Sequence, residues 1–113
     1  MSQTMPQSHY DCPCMEKCPL HHAMQLIGGK WKVQILCAVC NADAIRYNAL
    51  RGKLDGVSNT VLSSALRELE RDGLLIRKEY LEVPVRVEYS PTDSCRELLP
   101  ILEQLSDWAE KQM

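Results

Sequence analysis

Apolar residues recur at helical spacing in several segments of this chain, and each segment ends on a recognisable stop. Pro19 is preorganised for a first helical position, Leu20, Ala23, Met24 and Ile27 follow it, and Gly28-Gly29 closes the segment. Trp31, Ile35, Leu36 and Val39 predict a buried helix over Trp31–Cys40, closed by Asn41-Ala42-Asp43. A short extended piece at Ala44-Ile45-Arg46 leads to a third helix over Tyr47–Leu54 and a turn at Asp55-Gly56. The next helix is the clearest: Ser58 or Asn59 caps it, and Gly73 stops it. Val57, Val61, Leu62, Ala65, Leu66 and Leu69 form its apolar stripe, with Asn59, Thr60, Ser63, Ser64 and Arg67 opposite.

Two strands follow, Leu74–Leu81 and Val85–Tyr89, joined by Glu82-Val83-Pro84. Val85, Val87 and Tyr89 alternate with Arg86, Glu88 and Ser90, the period of a half-buried strand. Thr92 caps a last helix from Asp93, in which Leu98, Leu102, Leu105, Ala109 and Gln112 run close to a heptad seam widened by Ile101 and Trp108. Pro100 inside this pattern is expected to kink or restart the helix. Residues 1–17 are polar, contain Pro6 and Pro13 and lack periodicity, so we read them as a flexible arm ahead of a single domain over 18–113.

The order is mainly α with a small β-hairpin: two helices joined by a tight glycine turn, then a hairpin wing. That is the pattern of a winged helix-turn-helix. A recognition helix needs one apolar face for its own domain and one of small hydrogen-bonding residues for base edges, and the Ser58–Arg71 helix has both. Candidate DNA contacts on it are Ser58, Asn59, Thr60, Ser63, Ser64 and Arg67. Arg51 and Lys53 precede the turn and suit backbone anchoring, and Arg77 and Arg86 suit a wing touching phosphate or minor groove. Alternation aims Lys78, a third wing candidate, at the other face.

Charge sharpens this picture without creating it. The formal net charge is −2, which by itself argues against a phosphate partner. From Gly28 to Ser90, however, ten Lys/Arg face eight Asp/Glu, a net of +2 that leaves −4 for the flanks. Any DNA contact therefore comes from a local stripe. Apolar residues make up 45% and charged residues 25%, a soluble globular composition, and no apolar run nears the ~20 residues of a membrane span. With no signal-like N-terminus, the expectation is a cytoplasmic protein. His9, His21 and His22 have no recognisable acid partner and there is no glycine-rich phosphate loop, so we expect no enzyme and no cofactor.

Several stretches resemble the HxlR family of transcriptional regulators, relatives of the MarR type. They are Cys18-Pro19, Leu26-Ile27-Gly28-Gly29-Lys30-Trp31, Arg46-Tyr47-Asn48-Ala49-Leu50-Arg51, Gly56-Val57-Ser58, Leu62, Leu66 to Leu74, and Pro84 to Ser90. The resemblance covers about Cys18 to Trp108. It implies a winged helix that binds double-stranded operator DNA as a homodimer through its terminal helices, with repression as the default. Tyr47 and Ala49 stand where Phe and Glu are usual, and Cys95 where Gly is common. The apolar last helix calls for a partner independently, with Leu98, Ile101, Leu102, Leu105, Trp108 and Ala109 as the dimer interface. A twofold dimer sets two recognition helices about 34 Å apart, one turn of duplex.

Six cysteines without a secretory signal point to thiols rather than a disulfide scaffold. Cys18 starts the first helix beside Lys17, where helix N–H groups and positive charge favour a thiolate, and the family resemblance implies electrophile or oxidant sensing at this Cys-Pro position. Cys12 and Cys14 are candidate resolving thiols. The rival reading is metal-responsive, using Cys12, Cys14, Cys18, His21 and His22, although their spacing matches no standard zinc pattern and no metal site is assigned. A second rival is a winged-helix interaction module without DNA binding. Cys37-x-x-Cys40 falls inside a helix and reads as core, as do Trp31 and Trp108 as core or interface.

Overall fold

The structure is a computed structural model that describes residues 18–113. The predicted order of elements is present: α1 (Pro19–Ile27), α2 (Lys32–Ala42), β1 (Ile45–Arg46), α3 (Tyr47–Lys53), α4 (Asn59–Arg71), β2 (Leu75–Tyr80), β3 (Arg86–Pro91) and α5 (Asp93–Glu110). Each boundary has a local cause. Pro19 opens α1, and the Gly28 N–H closes it on the Met24 carbonyl at 2.7 Å. A Cβ at Gly28 would lie 2.3 Å from that same oxygen, so only glycine allows the closure. Asp43 ends α2 at φ 68°, a region that Asp tolerates better than most residues, and its carboxylate pairs with Arg96 at the start of α5.

Ser58 is the cap of α4: its hydroxyl accepts the Val61 N–H at 3.1 Å. Thr92 caps α5 by accepting the Cys95 N–H at 3.2 Å, and its own hydroxyl donates to the Gly73 carbonyl at 2.7 Å. One residue thereby ties the exit of α4 to the entry of α5.

The extended piece before α3 turns out to be part of the wing. β1 pairs antiparallel with β3 (Ile45 opposite Tyr89, Arg46 opposite Glu88), giving a three-stranded sheet in the order β1-β3-β2. In the hairpin, Leu75 faces Pro91 and Tyr80 faces Arg86. The second strand starts and ends later than its alternation predicts because Pro91 is buried against Leu75 while Val85 is 57% exposed.

The core gathers Ile35, Leu36 and Val39 of α2, Leu50 of α3, and Leu62, Ala65, Leu66 and Leu69 of α4 against Leu75 and Tyr89 of the sheet. Val61 does not share the α4 stripe and is 44% exposed. It sits about 100° around the helix from Leu62, at the stripe's edge in the first turn. Helix α5 runs unbroken through Pro100, with no restart. Pro100 and Arg96, whose carbonyl the proline deprives of its donor, are both exposed, so water can satisfy that oxygen.

The heptad reading of α5 divides into two rows. Leu102 is buried and Leu98 packs on the domain's own core. Ile101, Leu105 and Trp108, at i, i+4 and i+7, stand 60%, 54% and 60% exposed. Leu20 and Met24 of α1 are exposed as well, and α1 contributes no buried residue.

Candidate nucleic-acid interface

Helix α4 meets the protein through Leu62, Ala65, Leu66 and Leu69, which leaves its polar residues outward. They form two rows rather than one face. Asn59, Ser63 and Arg67, four apart, make a row along one side, and Ser63 lines the cleft toward the wing. Thr60 and Ser64 turn the other way, into a hollow with Trp31 and Lys32. There Lys32 Nζ holds Glu68 at 2.7 Å. The hydrogen bond and charge of Lys32 push the Glu68 carboxyl below its usual range, with Ser64 assisting. Ser64 lies in the same hollow as that ion pair.

The cleft between helices and wing has a volume of about 620 Å³, and its walls include Arg46, Tyr47, Asn48, Ser63, Arg77 and Val85. Tyr47, at the first turn of α3, reaches across to α4. Its hydroxyl donates to Asn59 Oδ1 at 3.0 Å and lies 3.4 Å from Ser63 Oγ. That bond fixes the Asn59 amide with its NH2 group free to donate outward. Sequence reasoning treated Tyr47 only as a replacement for Phe. The added hydroxyl, one helix away from an Asn and a Ser, was the available signal.

The basic candidates differ in what already holds them. Among the described residues, Arg51, Lys53 and Arg67 are exposed and have no ion-pair partner. Arg77 stands opposite Tyr89, with Glu79 at 3.5 Å. The Tyr89 hydroxyl raises the Arg77 guanidinium further, so it stays cationic, while burial pushes the Tyr89 phenol up. Arg86 sits on the opposite face of the hairpin from Arg77, the face of Tyr80, Lys78 and Glu88. Its guanidinium lies 3.9 Å from the Tyr80 ring centre and pairs with Glu82 at 3.1 Å and Glu88 at 3.5 Å. Arg86 is therefore a clasp across the wing, with its charge already met.

Cys18 is the N-cap of α1 and is buried, 7% exposed. Cys12 and Cys14 lie outside the described residues. Among the described residues, no three His, Cys, Asp or Glu side chains converge as metal ligands, and no helix is long and apolar enough to cross a membrane. Trp31 packs on the core as expected, and Cys40 does too, while Trp108 is exposed.

A capped α4 with an outward polar row, flanked by a wing on a five-helix scaffold, defines a winged helix-turn-helix protein. The chain belongs to the HxlR-like helix-turn-helix family, whose pattern matches residues 26–113. It is a transcriptional regulator of that family. A helix-turn-helix-type transcriptional regulator of Halalkalibacterium halodurans is 46% identical over 93 residues, 82% of each chain. Among solved structures, a MarR-family regulator from Porphyromonas gingivalis W83 superposes with a TM-score of 0.81 at 34% identity, covering 88% of this chain and 96% of that one. The redox regulator HypR in its oxidised form superposes with a TM-score of 0.76 at 37% identity, covering 83% and 96%.

Proposed function

We propose that the protein represses transcription by binding a twofold-related operator as a homodimer in the cytoplasm, without catalysis of its own. The observation that carries this reading is the Asn59–Ser63–Arg67 row, outward on a capped helix beside the wing cleft. Asn59 and Ser63 are of the type that reads base edges, and Arg67 reaches guanine or phosphate. Thr60 takes a flanking contact, and Ser58, whose oxygen is used in capping, keeps its hydroxyl proton for a phosphate. Ser64 plays a lesser part because it lines the hollow beside Glu68 rather than the wing cleft. Arg51 and Lys53, the last turn of α3, anchor the backbone. Arg77 reaches the DNA from the wing, and Arg86 shapes that wing.

The dimer is built on α5 and α1. Ile101, Leu105 and Trp108 are large apolar residues left outward on one helix, with Ala109 beside them and Leu20 and Met24 exposed on α1. Leu98 and Leu102 support that surface from beneath. Cys18 supplies an oxidant or electrophile input, a reading supported by its helix-cap position and by the likeness to HypR, a redox regulator. Cys12 and Cys14 are its resolving thiols.

The test is a salt titration of DNA binding by fluorescence anisotropy with mixed genomic fragments, run alongside light scattering. The proposal requires a dimer at micromolar concentration and log K falling linearly with log salt. A monomer, or affinity that ignores salt, overturns it. For the thiol input, Cys18→Ser must abolish release of DNA by diamide; unchanged release removes Cys18 from the account.

A further inference from the structure

We propose that Cys40 and Cys95 form a dithiol–disulfide site within one protomer, closed by a hydroperoxide and reopened by thiols. Cys40 lies in the last turn of α2 and Cys95 in the first turn of α5, and their Sγ atoms are 3.2 Å apart. A disulfide needs about 2.05 Å, so the sulfurs must close by roughly 1 Å. The two helix ends are already fastened on either side of the pair. Asp43 is joined to Arg96, and Thr92 anchors the start of α5 to Gly73.

The two thiols are unequal. Cys95 is 1% exposed, and burial pushes its thiol up to about 12, with the Cys40 hydrogen bond adding to this. It stays protonated and waits. Cys40 is half-buried, the more exposed of the two. The Cys40 sulfur attacks one peroxide oxygen; the O–O bond breaks, and the leaving oxygen takes up the thiol proton as water or alcohol. Cys40 becomes a sulfenic acid. The Cys95 sulfur then attacks the Cys40 sulfur, forming the S–S bond and breaking S–O. The hydroxyl leaves with the Cys95 proton as water. Two sulfurs have lost one electron each, and the peroxide has gained two. The neighbouring thiol of Cys37 is less suited, because burial, Cys40 and Glu103 all push it up.

This site shares no residue with the Cys18 input, and the two can fail separately. It ties together residues 55 apart and lies at the root of the helix that carries the exposed apolar row.

The experiment uses the full chain and a variant with Cys12, Cys14 and Cys18 all replaced by Ser. Each is treated with hydrogen peroxide, blocked with N-ethylmaleimide and digested with trypsin without reductant. Cleavage after Lys32, Arg46, Arg86 and Arg96 releases peptides 33–46, with Cys37 and Cys40, and 87–96, with Cys95. The expected result in both proteins is a linked pair of these peptides that dithiothreitol separates, with fragmentation placing the bond at Cys40. Cys37→Ser should retain the linked pair. Maleimide on both Cys40 and Cys95 after oxidation, a bond from Cys37 to Cys40, or hybrid pairs from mixed isotope-labelled and unlabelled protein would each overturn the proposal.

Discussion

Thr92 offers a sharp test of how the DNA-binding half is joined to the last helix. Its hydroxyl oxygen accepts the Cys95 N–H, and its proton goes to the Gly73 carbonyl, with the Leu74 carbonyl 3.2 Å away. Thr92→Val keeps the shape and deletes both bonds. Loss of a helix cap costs about 1 kcal/mol, and loss of a net hydrogen bond about 1 kcal/mol more. For a domain of this size, ~2 kcal/mol lowers Tm by roughly 8–16 °C. The assay is thermal denaturation by circular dichroism at one fixed protein concentration, since a dimer makes Tm concentration-dependent. Thr92→Ser restores the hydroxyl and should return most of the loss. If the valine variant melts within about 2 °C of the parent, or serine falls as far as valine, the anchoring role assigned to this hydroxyl is wrong.

Other consequences separate the basic residues and the surfaces. Removing one phosphate contact lowers the salt slope by about 1, so Arg67→Ala should lower it by about 2 in a twofold dimer. Arg86→Ala should leave the slope nearly unchanged while loosening the wing. Lys32 lowers the Glu68 carboxyl, so any stability from that pair is present above the ordinary carboxylate range and lost as pH falls through the lowered value. NMR titration of Glu68 should show the low midpoint, and Lys32→Gln should return it toward normal; no movement would contradict the pairing. Leu105→Glu should convert the dimer to monomers by sedimentation without changing the far-ultraviolet circular dichroism of the fold, and a dimer of unaltered strength would place the interface elsewhere.

Local features of this fold were legible, and non-local ones were not. The Ser58 cap, the glycine turn at 56 and the apolar stripe Leu62–Leu69 depend on neighbours within a few residues, so the helix-turn-helix could be read directly. Pairing of Ile45 with Tyr89 and the approach of Cys40 to Cys95 span long stretches of chain, where no periodicity reports a contact. On α5 the spacing showed that the helix is apolar, but not which row the protomer keeps. Leu102 is claimed by its own domain, whereas Ile101 is left outside. The faces of Arg77 and Arg86 form an intermediate case. With Tyr80 opposite Arg86, strand parity puts them on opposite sides, a consequence of hairpin register that alternation along one strand does not convey.

The central claim is a dimer reading two related half-sites through α4. Its most direct test is selection of bound fragments from randomised duplex DNA, with the winning sequence then footprinted and its complex sized. The expected result is two inverted half-sites, centred about 34 Å apart along the duplex, with two protomers per fragment and selection lost in a variant carrying Asn59→Ala and Arg67→Ala. Recovery of no sequence above the input pool, or of a single half-site bound by one protomer, would contradict it.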